Sequence, residues 1–187
     1  MGQMKNRTES VITPGTSLVY PYYNETGKLC AVLLKDGEFV RVDKSPTDVI
    51  DVSMQYFGSS LQGGIAGARS MLGRISMSPV MINEKLDMYW FPSKSPSSDD
   101  CVWFSLSHIL TYMPIAKDRT KIIFRDGTIF TLDCSYDSFE WKHQRTCMYK
   151  NGLEAQINFM ADNVKKSYKT YLIRRNRKRG NYEVSDE

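Results

Sequence analysis

Two groups of residues have the types that site chemistry requires. Cys134, His143 and Cys147 carry zinc-ligating atoms, and Cys101 with His108 carries a thiol and a base. The first group is spaced C-x8-H-x3-C, without a short paired motif or a fourth ligand nearby, since the second histidine is distant. Structural zinc sites show such pairs, so buried thiols with a helix-surface histidine are the simpler reading. The second group would need thiol and imidazole within hydrogen-bond reach. In a strand-rich setting a core cysteine and a hydrogen-bonded histidine are simpler again. No activated nucleophile, carboxylate pair or cofactor loop stands out, and the chain is expected to be neither an enzyme nor a holder of metal or cofactor. Cys30, Cys101, Cys134 and Cys147 are scattered without Cys-x-x-Cys, which predicts free thiols in a reducing compartment.

Glycine and hydroxyl chemistry concentrates in Phe57-Gly58-Ser59-Ser60-Leu61-Gln62-Gly63-Gly64-Ile65-Ala66-Gly67-Ala68-Arg69. Glycines let another surface come close to the main chain, and Ser59, Ser60 and Gln62 offer hydrogen bonds, which suits a phosphate or a groove. The alternative is a tight connection in which Ser60 caps a short helix running to Gly73. Neither form is a P-loop, because Gly63 is followed by Gly64-Ile65 where Lys and Ser or Thr would hold phosphate and magnesium.

Charge supplies a third signal. The net charge of +4 resides at the C-terminal end, where Lys165, Lys166, Lys169, Arg174, Arg175, Arg177, Lys178 and Arg179 follow one another without an acid. Residues 1–164 hold 17 basic and 18 acidic residues, so the body is near neutral. A block of this kind fits a solvated tail, an arm for nucleic acid or a docking segment for an acidic partner. With 187 residues and 41% hydrophobic content, one domain with tails is expected. No run of apolar residues long enough for a membrane span or a secretory signal occurs, and a cytoplasmic protein is expected.

The elements that must position these residues are mostly strands. Residues 1–15 are expected to be a flexible start. Leu18-Val19-Tyr20 and Leu29 to Leu34 read as strands, and Lys35-Asp36-Gly37 turns the chain back into Glu38 to Val42. Ser45-Pro46-Thr47-Asp48 predicts a helix from Pro46 to about Tyr56. Val80–Ile82 and Met88–Phe91 pair around a turn, residues 93–100 are a polar loop, and Cys101 to Leu106 is the next strand. Lys121 to Leu132 forms a hairpin about Asp126-Gly127. Asp137 and Glu140 form a capping box for a helix from Ser138 to Lys150, which Asn151-Gly152 should stop. Ile157, Met160, Val164, Tyr168 and Tyr171 then line one face of a last helix from Glu154 to about Arg175.

Phe57-Gly58-Ser59-Ser60 with Gly63 and Gly67, Pro79, Phe91-Pro92, Cys101-x-Trp103-x-Ser105-x-x-His108, Phe124-x-x-Gly127, Ser135-Tyr136-x-Ser138-Phe139-Glu140 and Gln144-Arg145-Thr146 follow one another along the chain. Together they resemble the competence transcription factor (ComK) family of Gram-positive bacteria, over roughly residues 28–150. The resemblance implies a DNA-binding activator of DNA-uptake genes that binds paired AT-rich boxes largely through the minor groove. It also implies a dimer or a pair of dimers, contact with RNA polymerase, and control by adaptor-assisted proteolysis.

The expected architecture is α+β: a single domain with an antiparallel, barrel-like sheet, three or four helices and a basic C-terminal helix or tail. Residues 16–152 are expected to be the DNA-binding core and residues 153–187 the amphipathic basic helix and tail. Arg69, Arg74 and Arg145 are the expected ordered contacts to double-stranded DNA. Ser59, Ser60 and Gln62 would read backbone or groove, and Lys165, Lys166, Lys169, Arg174, Arg175, Arg177, Lys178 and Arg179 would clamp phosphates without sequence preference. The competing reading is an interaction module whose basic helix binds acidic protein partners.

Overall fold

Asp36 and Gly37 both take left-handed backbone angles, φ 51° and 81°, which gives the two-residue turn that the twist of an antiparallel pair favours. In this computed structural model, which describes residues 10–162, 171–175 and 182–186, that turn joins β2 (Leu29–Lys35) to β3 (Glu38–Val42), and β1 (Thr16–Tyr23) pairs along the other side of β2. β4 (Val80–Asn83), β5 (Met88–Pro92) and β6 (Trp103–Ser105) complete a six-stranded sheet of order β3-β2-β1-β6-β5-β4. The two halves join where β1 meets β6, Leu18 opposite Phe104 and Val19 opposite Trp103. The expected barrel is not formed. β3 and β4 end the sheet on opposite sides, four strands apart, and the chain leaves it after β6 through a single 3-10 turn, Leu106–His108. A separate three-stranded sheet follows, β7 (Ile109–Ala116), β8 (Arg119–Phe124) and β9 (Ile129–Leu132). At its Asp126-Gly127 turn only Gly127 is left-handed, at φ 86°, and Asp126 Oδ1 accepts from the Thr128 N–H at 2.8 Å.

Covering layers lie on both faces of the large sheet. Alternate strand residues Val19, Leu33, Trp90 and Trp103 point to one face, where they pack with Val49, Ile50 and Met54 of α1 (Pro46–Tyr56). Their neighbours Leu18, Leu34, Phe91 and Phe104 point to the other and meet Ile109, Ile122 and Phe124 of the small sheet and Phe139 of α3 (Tyr136–Asp162). Phe91 stacks on Phe104 at 5.6 Å between centroids, with Phe139 edge-on to both. Each such side chain contributes roughly 1.5–3 kcal/mol by leaving water. α1 begins as its sequence requires, with Pro46 in the first turn and Ser45 Oγ accepting from the Asp48 N–H. A third, smaller cluster of Ala68, Tyr89 and Tyr149 joins α2 (Leu61–Leu72) to β5 and α3.

The C-terminal third departs from the sequence pattern in three ways. α3 starts two residues before the expected Ser138, with Ser135 Oγ taking the Ser138 N–H at 3.4 Å. It then runs through Asn151-Gly152 to Asp162. Gly152 stands where a β-carbon would lie 2.6 Å from Met71 Sδ, so its smallness serves the approach of α2 and α3 rather than a helix stop. Last, the expected helix to Arg175 gives way to β10 (Tyr171–Arg175), paired antiparallel with β11 (Tyr182–Asp186), Ile173 opposite Val184. Tyr171-Leu172-Ile173 is rich in strand-favouring side chains, and a pairing partner outweighs the helical spacing of the apolar positions. The chain divides into two compact units between Leu153 and Glu154. In the second, Ile157 and Met160 are exposed.

Candidate nucleic-acid interface

From Leu61 onward the glycine-rich stretch is a helix. Ser60 is its N-cap, its Oγ accepting from the Gly63 N–H at 3.1 Å, and Gly73 at φ 82° ends it, its N–H bonded to Arg69 O. The glycines divide by side. Gly64 faces inward, where a β-carbon would lie 2.6 Å from Met54 Cε and 3.5 Å from Val80 Cγ1, so it brings α2 close to α1 and β4. Gly63 and Gly67 face outward and are exposed with Gln62, Ala66, Arg69 and Ser70. At 100° per residue these six positions span one continuous arc, with Gln62 and Arg69 along one border and Gly63 and Gly67 along the other. The result is a shallow helix face with long side chains on one border only.

This geometry decides between the two forms that the sequence left open. A phosphate cradle would need the free N–H groups of the first turn. Here Asp51 Oδ1 accepts from the Leu61 N–H at 2.8 Å, Ser60 Oγ from Gly63 and Ser60 O from Gly64. A carboxylate already takes the first free N–H, so the start of α2 is not a phosphate cradle. Ser60 is therefore a capping residue and, like Ser59 just before it, is exposed; the Ser59 backbone N–H is bonded to Met54 O.

The arginines occupy the other end. Arg69 is exposed two turns beyond Gln62, about 10 Å along the axis. Its Nε donates to Ile75 O at 3.3 Å, tying the helix exit and leaving the outer guanidinium nitrogens to solvent. Arg74 is exposed in the turn that follows. Arg145 belongs to α3, with its guanidinium 5.6 Å from the centre of the exposed Trp141 ring, and lies one turn before Tyr149, which packs in the cluster with Ala68 of α2. None of the three pairs with a carboxylate among the described residues. Their charge is available to an anionic partner. Arg174 and Arg175 are exposed on β10, in the second unit. Lys165, Lys166, Lys169, Arg177, Lys178 and Arg179 lie outside the described residues.

The other chemistry-bearing residues have local partners. Cys101 Sγ donates to Lys94 O at 3.6 Å, and burial pushes its pKa up to about 11, so it is a neutral thiol at pH 7. His108 Nδ1 is 2.9 Å from Ser105 Oγ, and burial lowers its pKa. His143 lies against Phe91 and Tyr112 with Cys147 Sγ at 4.0 Å, again with its pKa lowered by burial. Cys134 Sγ instead contacts Lys142 Nζ at 3.7 Å. Sequence reasoning did not single out Trp141 or Lys142. Nothing in the local pattern marks one as exposed and the other as buried.

Comparison with known proteins agrees with the resemblance. The family model described as ComK protein matches residues 7–158. The competence transcription factor of Bacillus subtilis (strain 168) is 27% identical over 132 residues, which cover 71% of this chain and 69% of that protein. No solved structure matches the chain. Because the family model spans most of the chain, through the six-stranded and three-stranded sheets and into α3, this protein belongs to the ComK family.

Proposed function

We propose that this protein is a DNA-binding regulator of competence transcription that engages paired AT-rich boxes through the minor groove, with the outer face of α2 as the reading surface. The observation that carries the placement is the exposed arc of Gln62, Gly63, Ala66, Gly67, Arg69 and Ser70, followed by Arg74, with both arginines free of carboxylate partners among the described residues. A narrow minor groove concentrates negative potential that attracts arginine, and a helix border of glycines permits close approach. The B. subtilis relative, named a competence transcription factor, supports the functional class. In this reading residues 16–152 are the DNA-binding core, Ser59, Ser60 and Gln62 contact backbone or groove, and Arg145 reaches the duplex from α3. The basic C-terminal residues hold phosphates. A dimer or pair of dimers would match paired boxes, RNA polymerase would be the protein partner, and adaptor-assisted proteolysis would set its level in the cytoplasm.

The test is competition at physiological salt between a duplex with two spaced AT-rich boxes and a length-matched GC-rich duplex. A preference of about 10³-fold or more is expected of a specific regulator. Equal affinities would defeat the proposal. Arg69→Ala and Arg74→Ala should reduce binding to the boxed duplex more than to the GC-rich one. Replacing Arg174 and Arg175 by Gln should flatten the log-log salt dependence by about 0.9 for each lost phosphate contact.

A further inference from the structure

Lys142, on α3, is only 5% exposed. Lysine is almost never buried so deeply without an opposite charge, because an ammonium loses its hydration there. Its Nζ donates to Ser138 Oγ at 2.7 Å and lies 3.7 Å from Cys134 Sγ. Among the described residues no carboxylate pairs with it. An ammonium has three donors, so one is left over.

The side chain forms part of the wall of an open pocket of about 610 Å³ at the beginning of α3. Ser135, just before that helix, and Ser138, in its first turn, line the same pocket, and the exposed Asp137 of that turn offsets the helix dipole there. Two acids also border it. Asp100 is taken by Lys94 and by Ser98 Oγ at 2.6 Å, and Asp133 is exposed, where water screens it. The inner part of the pocket therefore holds the Lys142 ammonium, with no carboxylate at ion-pair distance among the described residues, beside hydroxyls. We propose that this pocket binds a phosphate-type oxyanion, with the Lys142 ammonium as its counter-charge and the Ser135 and Ser138 hydroxyls beside it. The same chemistry fits a free small phosphate or a backbone phosphate of a bound duplex, and it does not depend on the α2 interface.

Cys134 lines the pocket and Cys147 does not, which gives an internal control. The full chain is alkylated with iodoacetamide and labelling is read for each cysteine by mass spectrometry, in orthophosphate and in sodium chloride of equal ionic strength. At ~10 mM phosphate a site of millimolar affinity is about tenfold more occupied than empty, so Cys134 labelling should slow about tenfold while Cys147 is unchanged. Lys142→Met should abolish the protection. Should that variant not fold, the phosphate-against-chloride contrast on the native chain decides. A second arm replaces orthophosphate by the boxed duplex in phosphate-free buffer. Protection there assigns the oxyanion to the DNA backbone, and protection by orthophosphate alone assigns it to a small phosphate. No protection in either arm, equal protection by chloride, or protection that survives in folded Lys142→Met would overturn the proposal. The box preference of the duplex is measured separately and stands or falls without it.

Discussion

β5 and β7 are similarly apolar strands with opposite fates. Met88-Tyr89-Trp90-Phe91-Pro92 is buried at every position, whereas of Ile109 to Ala116 only Ile109 is buried. The difference lies in what covers them. β5 runs inside the six-stranded sheet, with α1 against one face and the small sheet and α3 against the other. β7 is an edge strand of a sheet with one covered face, so Leu110, Met113 and Ile115 are exposed, and Ile129 of β9 is exposed with them. Burial in this molecule is decided by the number of covering layers rather than by the strand's own residues.

The sharpest way to break that comparison is one truncation in each sheet. Phe91 is fully buried among Phe104, Phe139 and His143. Phe91→Ala is expected to cost about 3–5 kcal/mol in urea unfolding. Ile129→Ala, at a site 52% exposed, should stay within about 0.5 kcal/mol. A loss above ~1.5 kcal/mol at Ile129 would mean that its face is covered in solution.

A smaller effect is expected at the α1 face of the large sheet. Ser53 is buried, and its Oγ accepts from the Ile12 N–H at 2.9 Å and donates to Val49 O at 2.6 Å. Ser53→Ala leaves a buried N–H unpaired and should cost about 1–3 kcal/mol, with Ser95→Ala in the exposed loop as a neutral reference. Equal costs at the two serines would remove the layer argument from polar groups.

Protonation probes the covered side between the two sheets. His143 packs against Phe91 of β5 and Tyr112 of β7, and burial holds its pKa, like that of His108, below the ordinary value. The folded state therefore favours neutral imidazoles, and the unfolded chain binds more protons once pH falls below about 6.5. Stability should be flat from about pH 7 to 8, above which the raised pKa of Cys101 acts, and fall as pH drops toward the folded-state values of the histidines. A urea midpoint that declines between about pH 7 and 5.5, and declines less in His143→Phe, is the expected outcome. Asp43 and Asp100 have lowered pKa values and act only at more acid pH, so they do not share this window. A midpoint that does not move would contradict the burial of both rings.

Local chemistry made much of the large sheet and its helices legible. Asp36-Gly37 and Ser45-Pro46 specify a turn and a helix start with their own side chains, and the structure places both as the sequence implies, while at Ser60 it selects the helix cap from the two forms left open. β7 was missed because Pro114 interrupts it and no turn residues announce its start, features an edge strand tolerates. The passage of α3 through Gly152 depends on Met71, and β10 depends on β11, partners distant in sequence. The arginines of the candidate interface were legible as charge. The occupation of the α2 N-terminus by Asp51 was not, because it is ten residues away in sequence and becomes a cap only when α1 and α2 fold together.

The smallest change in stability is expected at Gly63, and it carries the most about function. Gly63 is exposed within α2, and a β-carbon there would meet only Ser60 Oγ, at 3.1 Å. Alanine gains up to about 1 kcal/mol of helix propensity over glycine, set against a slight shift of the capping hydroxyl, so Gly63→Ala should change stability by a few tenths of a kcal/mol. The same methyl group roughens the glycine border of the proposed reading face. If that border lies against a groove wall, affinity for the boxed duplex should fall roughly tenfold, a loss of about 1.4 kcal/mol, while affinity for the GC-rich duplex changes little. Gly64→Ala is the control from the inward border, where the new carbon would push on Met54 inside the protein and change stability before it changes binding. Unaltered duplex binding by folded Gly63→Ala would move the interface off this border of α2 and leave the exposed arginines as the remaining candidates.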